Sequence, residues 1–276
     1  MAVPKKVEQR IQQAFSKLRP ILLEARNRDV NEADTVTLVK AILSDAFGWN
    51  PFFDVTSEFA IRSTWVDLAV KTENHVAFLI EVKAIGSDLR DNHLRQAVNY
   101  AANQGIEWVV LTNGAVWQAH KVTFGKPIGN ELVFQLDLLN DNPRENRVKE
   151  MAFLLSKEGM TKAAITRFHA EKQALSKFNV AAVLRSEAVL SLVRRELKRA
   201  FPDLSPSLDD VRLLVENEVL KRDVLDGEKA TQAAKLMRRA TGRALRSAKQ
   251  SGQTTGANLE GDTDDVSTPA PIGTNG

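Results

Sequence analysis

The sequence predicts an α/β layer architecture followed by an all-helical region. Three observations carry that expectation. Between Val7 and Leu139, short runs rich in Val, Ile, Leu and Phe alternate with amphipathic stretches, and strands alternating with helices indicate packed α/β layers. From about Asn142 onward no strand pattern is evident, and every apolar stretch repeats at helical spacing. The composition is that of an ordinary globular chain, with 276 residues, 43% hydrophobic and 26% charged.

Val7, Ile11, Phe15, Leu18 and Leu22 fall near helical spacing, so Val7 to Arg28 reads as a first helix. Pro20 inside it is expected to bend or break it, because proline lacks the N–H that continues the ladder. Asn31 is placed to cap a second helix from Glu32 to about Phe47. Val55, Ser57, Phe59 and Ile61 alternate with other residues, predicting a strand over Asp54 to Ile61. Trp65 to Val70 and Val76 to Lys83 are the next two strands, joined through polar Lys71 to His75. Ser87 or Asp88 is then expected to cap a helix running to Ala102 and closed by Gly105. Trp108 to Thr112 is a short buried strand ending in Asn113-Gly114, a dipeptide that favours a tight hairpin, with Val116 to Val122 as its partner. Glu131 to Leu139 alternates again as an edge strand.

Beyond that point Met151–Leu155, Ala163–Leu175, Val180–Phe201, Asp209–Leu225 and Glu228–Ala248 read as helices. After Gln250 the chain is Gly, Ser, Thr, Asn, Asp and Pro with almost no large apolar residue, the composition of a disordered tail. The expected organisation is an N-terminal helix over 1–30, an α/β domain over 31–140, a helical accessory region over 141–250 and a tail over 251–276.

The composition excludes some chemistries. There is no cysteine, which removes disulfides, thiolate-bound zinc and a cysteine nucleophile, and suits a reducing cytoplasm. His75, His93, His120 and His169 form no close-spaced metal pair. No run of about twenty apolar residues exists to cross a membrane, and the start lacks a signal-peptide core. No G-x-x-x-x-G-K-[ST] loop occurs, so no ATP site of that kind is expected.

The chemistry concentrates in the second and third strands. Asp67 lies in Trp65-Val66-Asp67-Leu68, and Glu81-Val82-Lys83 ends the apolar run Val76 to Ile80. Side chains alternate with period two along a strand, so Glu81 and Lys83 share a side. A hairpin between the runs brings Asp67 close to Glu81. Two carboxylates and one ammonium then converge where a central strand ends. An acid and a lysine two apart are more often a surface salt bridge of little energetic worth. Here the run before them carries no other charge, as in a central buried strand. Hard divalent cations take one or two carboxylates plus water and phosphate oxygens, so the group is a minimal kit for metal-assisted phosphodiester hydrolysis.

Read together, Asn31-Glu32-Ala33-Asp34, Phe47-Gly48-Trp49, Ser57-Glu58-Phe59, Trp65-Val66-Asp67-Leu68, Ile80-Glu81-Val82-Lys83, Gln96-Ala97-Val98-Asn99-Tyr100 and Leu111-Thr112-Asn113-Gly114-Ala115-Val116-Trp117 resemble a known family. The ordered set resembles the PD-(D/E)XK nuclease superfamily, and within it the N-terminal nuclease domain of type I restriction enzyme R subunits. The resemblance covers roughly Asn31 to Lys121. Val66 stands where the superfamily name has proline, and the chain is too short for the ATP-driven motor of a full R subunit.

The resemblance implies a metal-dependent deoxyribonuclease, acting as an endonuclease in restriction, defence or DNA processing, with magnesium or manganese as cofactor. Asp67, Glu81 and the main-chain carbonyl of Val82 are the implied metal ligands, with Glu32 holding a metal water or a second ion. Lys83 is implied to activate water or offset phosphate charge, and Gln96 to orient the water or contact phosphate. Tyr100, one turn on, is expected to share the face of Gln96 with the sheet. The plain alternatives are that Glu32 only complements a helix dipole and that Gln96 is an ordinary helix residue. Trp49, Trp65, Trp108 and Trp117 read as core or hairpin packing.

From Lys229 to Lys249 there are seven Lys or Arg and no acid. Lys235, Arg238, Arg239, Arg243 and Arg246 are the candidate DNA contacts, since a basic helix stripe attracts the phosphate backbone without reading sequence; a solvated helix face is the plain alternative. The partners expected are DNA and a second copy or another subunit. The rival reading is a catalytically silent nuclease fold that binds DNA or docks on a partner.

Overall fold

The computed structural model describes residues 2–61, 64–73, 75–203 and 205–254, and the side chains of 59–65, 241 and 243–254 are outside the description. The expected tail therefore lies outside the described residues from position 255, as do the side chains of Phe59, Ile61, Trp65, Arg243 and Arg246. The chain divides into two compact units, residues 1–170 and 171–276.

The first unit is built on one six-stranded sheet in the order β1-β2-β3-β4-β5-β6. The strands are β1 (Val55–Ile61), β2 (Thr64–Thr72), β3 (His75–Val82), β4 (Trp108–Thr112), β5 (Val116–Thr123) and β6 (Gly129–Asp137). All neighbours are antiparallel except β3 and β4, which pair in parallel with Leu79 beside Val109 and Val82 beside Thr112. That parallel pair requires a crossover, supplied by α3 (Arg95–Gln104). The helix does not begin at Ser87 or Asp88: a 3-10 turn over Asp91–Leu94 precedes it, with the Arg90 backbone N–H donating to His93 Nδ1. Gly105, at φ +69, closes it as expected.

Two cores flank the sheet. On one face α1 (Lys5–Asn27), α2 (Glu32–Asp45) and α4 (Asn146–Leu155) cover Leu68, Val70, Phe78, Ile80, Val82 and Val110. On the other, α3 covers Ala69, Leu79, Val109 and Leu111. β3 and β4 thus contribute to both cores, which is why they read as unbroken apolar runs. Each fully buried Leu, Ile, Val or Phe contributes about 1.5–3 kcal/mol. Trp49 Nε1 donates to Leu155 O at 2.8 Å, tying the end of α2 to α4. Trp49, Trp108 and Trp117 are buried.

Pro20 does not break α1, which is one continuous helix. Pro20 is exposed, while Val7, Ile11, Phe15, Leu18 and Leu22 bury the opposite side on both flanks of it. The lost hydrogen bond falls on the solvent side, and the buried stripe holds the helix across it. Asn31 caps α2, its side chain accepting from Asp34 N–H at 2.9 Å. The β4–β5 hairpin forms at Asn113-Gly114, with Gly114 at φ +82 and Asn113 Oδ1 accepting from Val116 N–H at 2.8 Å. Asn113 Nδ2 also donates to Ser87 O at 3.0 Å, pinning the loop after β3.

After α4 come α5 (Lys157–Thr161), α6 (Ala164–Ala174), α7 (Lys177–Leu184), α8 (Glu187–Ala200), α9 (Leu208–Leu214) and α10 (Glu228–Thr254), and two of the long helices that the periodicity predicts are divided. Val180 to Phe201 is split because Ser186 is extended, at φ −69 and ψ 144, ahead of α8. Asp209 to Leu225 is likewise α9, a π turn over Val215–Val219 and a 3-10 turn over Arg222–Val224. α10 continues four residues past Gln250. The first unit extends through α4 and α5 to Ala170, beyond position 140.

Candidate functional site

The sequence pattern brings Asp67, Glu81 and Lys83 together at one end of β3. Asp67 lies in β2, Glu81 is the penultimate residue of β3, Lys83 follows directly, and Glu32 opens α2. Glu81 and Lys83 share a side, as the alternation requires: Lys83 Nζ donates to Glu81 Oε1 at 2.9 Å. Lys83 Nζ is also 3.4 Å from Glu32 Oε2. The lysine and Glu81 side chains are mostly covered, at 19% and 15% exposure, while Glu32 is at 49%.

The backbone here is unusual in one respect. The β2–β3 ladder ends with Leu68 opposite Ile80. Continuing it would set Val66 opposite Val82. Instead the Val82 N–H donates to Asp67 Oδ2 at 2.7 Å, so a carboxylate fills the place of a ladder carbonyl. β3 stays paired on its other side, where Lys83 N–H donates to Thr112 O at 2.8 Å. The sheet therefore holds all three side chains on fixed backbone.

The electrostatics follow from burial. Desolvation raises the pKa of Asp67, opposed by the Val82 hydrogen bond and the Lys83 charge and reinforced by Glu32. Desolvation also raises that of Glu81; the Lys83 hydrogen bond opposes it and the Asp67 charge adds to it. For Lys83, desolvation pulls downward, but the hydrogen bond to Glu81 and the charges of Glu81, Glu32 and Asp67 outweigh it, so the ammonium is favoured. Among the described residues three carboxylates thus face one ammonium. Among the described residues no three His, Asp or Glu side chains form a ready metal cage. Asp67 and Glu81 are instead a two-carboxylate set whose ionised forms are under-compensated. A hard divalent cation with its own waters takes such a set.

These shifts have a consequence for stability. Between the ordinary and the raised carboxylate values the folded chain binds more protons than the unfolded chain, so stability falls as pH rises through that window and the cost is fully present at neutral pH. Asp67→Asn keeps an acceptor for the Val82 N–H and removes the charge. It is expected to raise Tm in metal-free buffer at neutral pH, with the gain shrinking as pH falls toward the ordinary carboxylate range. In a domain of this size roughly 2–4 °C corresponds to 1 kcal/mol. A lower Tm at neutral pH would count against the desolvation account.

Other expected residues are placed differently. Gln96 is the second residue of α3 and is exposed, whereas Tyr100 is buried with Ala97, Val98 and Ala101. Gln96 and Tyr100 do not share the sheet-facing side, because the buried arc of α3 is centred on Ala97 and Ala101. Val82 contributes its N–H to the site, a role the sequence reading did not include. Glu58 is exposed and sits at φ +46; nothing in a glutamate signals that conformation.

In the second unit Lys235, Arg238 and Arg239 are exposed on α10, and Arg243 and Arg246 lie further along the same helix. Among the described residues none of Lys229, Lys235, Arg238 and Arg239 is in an ion pair, whereas Lys177, Arg185, Arg199 and Arg212 pair with Asp223, Glu216, Glu196 and Asp209.

The first unit is therefore an α/β domain whose central strand ends in an acidic, lysine-bearing site. Residues 53–133 match the family described as the type I restriction enzyme R protein N terminus (HSDR_N), and this part of the chain is an HsdR N-terminal-like domain. The match runs from the turn before β1 into β6 and includes Asp67, Glu81, Lys83 and Gln96, while Glu32 and α10 lie outside it. No curated protein and no solved structure matches the chain. Among the described residues no helix is long and apolar enough to cross a membrane.

Proposed function

We propose that this protein is a metal-dependent deoxyribonuclease with a PD-(D/E)XK core, hydrolysing DNA phosphodiester bonds as an endonuclease in restriction, defence or DNA processing. The observation that supports the reading best is the convergence of two largely covered carboxylates, Asp67 and Glu81, with Lys83 at the end of a central strand. Asp67 and Glu81 would hold magnesium or manganese, with the Val82 carbonyl as a further oxygen donor. When bound, the ion supplies Lewis acidity to the scissile phosphate and its attacking water.

The chain's own residues do the rest. The Val82 N–H fixes one oxygen of Asp67 and leaves the other for the ion. Lys83 fixes Glu81 by hydrogen bond. Lys83, hydrogen-bonded to Glu81, would act electrostatically, donating to the attacking water or to a phosphate oxygen as charge develops there. Glu32, tied to Lys83, holds the lysine in place or anchors a metal water. Gln96, at the start of α3, is proposed to contact water or phosphate once DNA is bound. The exposed cations of α10 bind the DNA backbone independently of sequence.

The test is incubation of the purified protein with supercoiled and linear DNA in magnesium, manganese or EDTA. Cleavage in either metal and none in EDTA is expected. Salt-sensitive retention of DNA without cleavage would replace this reading with a silent nuclease fold that binds DNA.

A further inference from the structure

We infer that Glu58 is a positioning residue for Asp67, and that it acts through its backbone conformation and not through its carboxylate. In the β1–β2 register Glu58 falls between the pairs Ser57–Leu68 and Phe59–Val66, directly opposite Asp67. It is the one residue of β1 with positive φ, at +46, a conformation that side chains other than those of Gly, Asn and Asp adopt with reluctance. Such outliers persist where surrounding structure enforces them, commonly at functional sites.

The partner strand is distorted at the same point. Residues two apart on a regular strand face the same way. Yet Val66 packs in the core under α3 while Leu68 and Val70 pack in the opposite core. β2 therefore changes face at Asp67. The change turns the Asp67 side chain away from both cores and along the sheet, where Oδ2 meets the Val82 N–H. A kink in one strand that re-aims a side chain on its neighbour is what β-bulges do beside active sites. The Glu58 carboxylate itself is exposed and does not figure among the groups that shift Asp67. What reaches Asp67 is the kink.

This rests on the metal-site reading in one of its two readouts only. The first readout is hydrogen exchange of the Val82 amide, which reports the Asp67 contact without any metal. The second is Mn2+ affinity by titration calorimetry. Glu58→Gln removes the charge and keeps the side-chain length; it should leave both readouts within twofold of the parent. Glu58→Gly admits positive φ freely; it should leave both unchanged and raise Tm. Glu58→Val is β-branched and resists positive φ; it should lose Val82 protection and weaken Mn2+ binding about tenfold, as losing the support of a metal ligand does. Loss of Val82 protection in the Gln or Gly variant overturns the inference, as does full protection in the Val variant. If Glu58→Val does not fold, the Gln and Gly variants still decide it. A parent protein that protects Val82 but binds no Mn2+ would remove the metal-site reading and leave the positioning inference standing.

Discussion

Lys83→Ala is expected to reduce metal-dependent DNA cleavage by about 10²–10³-fold, the usual cost of removing one preorganised charge that meets a developing oxyanion. The argument is local. Among the described residues Lys83 is the only cation of the cluster, and it is held by Glu81 at 2.9 Å and Glu32 at 3.4 Å. Removing it takes away the opposite charge that faces the covered Glu81. The Glu81 pKa then rises further, because desolvation is already its largest cause and the opposing hydrogen bond is gone. Two losses follow: the donor to the phosphate or water, and part of the ionised population of a metal ligand. They separate on a pH axis. Raising pH restores ionisation of Glu81 and with it metal affinity, but does not restore the missing donor. Single-turnover cleavage at saturating manganese should therefore stay low in Lys83→Ala at every pH, while the manganese needed for half-maximal rate falls as pH rises. Lys83→Met, which keeps the stem without the charge, should behave alike. Undiminished cleavage in both variants would remove Lys83 from the chemistry.

How much of this site was legible in the sequence depends on which physical rule places each residue. Asp67, Glu81 and Lys83 were legible because period-two alternation and a polar hairpin leave little choice about neighbours, and the Lys83–Glu81 contact is the direct outcome. Asn31 and Asn113-Gly114 were legible because their side-chain chemistry dictates a cap and a turn. The sheet-facing side shared by Gln96 and Tyr100 was misjudged because the buried arc of α3 is centred on Ala97 and Ala101, which leaves Gln96 exposed. The break expected at Pro20 does not occur, because its solvent-facing position, and not its residue type, decides whether a helix survives it. The split at Ser186 was hidden because apolar periodicity continues through it. The kink at Glu58 and the Asp67–Val82 bond had no local signal: both arise from two strands adjusting to one another.

The second large effect concerns the helical unit. Replacing Lys235, Arg238 and Arg239 together by alanine should weaken DNA binding and flatten its salt dependence. Each phosphate contact releases condensed counterions, and on duplex DNA each contributes about 0.9 to the slope of log affinity against log salt. Losing three contacts should lower the slope by about 2.7. The affinity loss should be similar across unrelated sequences, because backbone contacts position without specifying. Folding is an unpromising alternative explanation. All three side chains are exposed, none is in an ion pair among the described residues, and alanine is the best helix former. Changes elsewhere provide the control: Arg185 and Arg212 are already bound to Glu216 and Asp209, so Arg212→Ala should change the slope little. Electrophoretic or fluorescence titration over a range of salt concentrations reads both quantities. An unaltered slope in the triple variant would mean that α10 does not meet DNA, and its cations would then be a solvated face. A reduced slope with cleavage preserved at saturating DNA would separate the two units functionally, with α10 retaining substrate and the Asp67, Glu81 and Lys83 cluster carrying the chemistry.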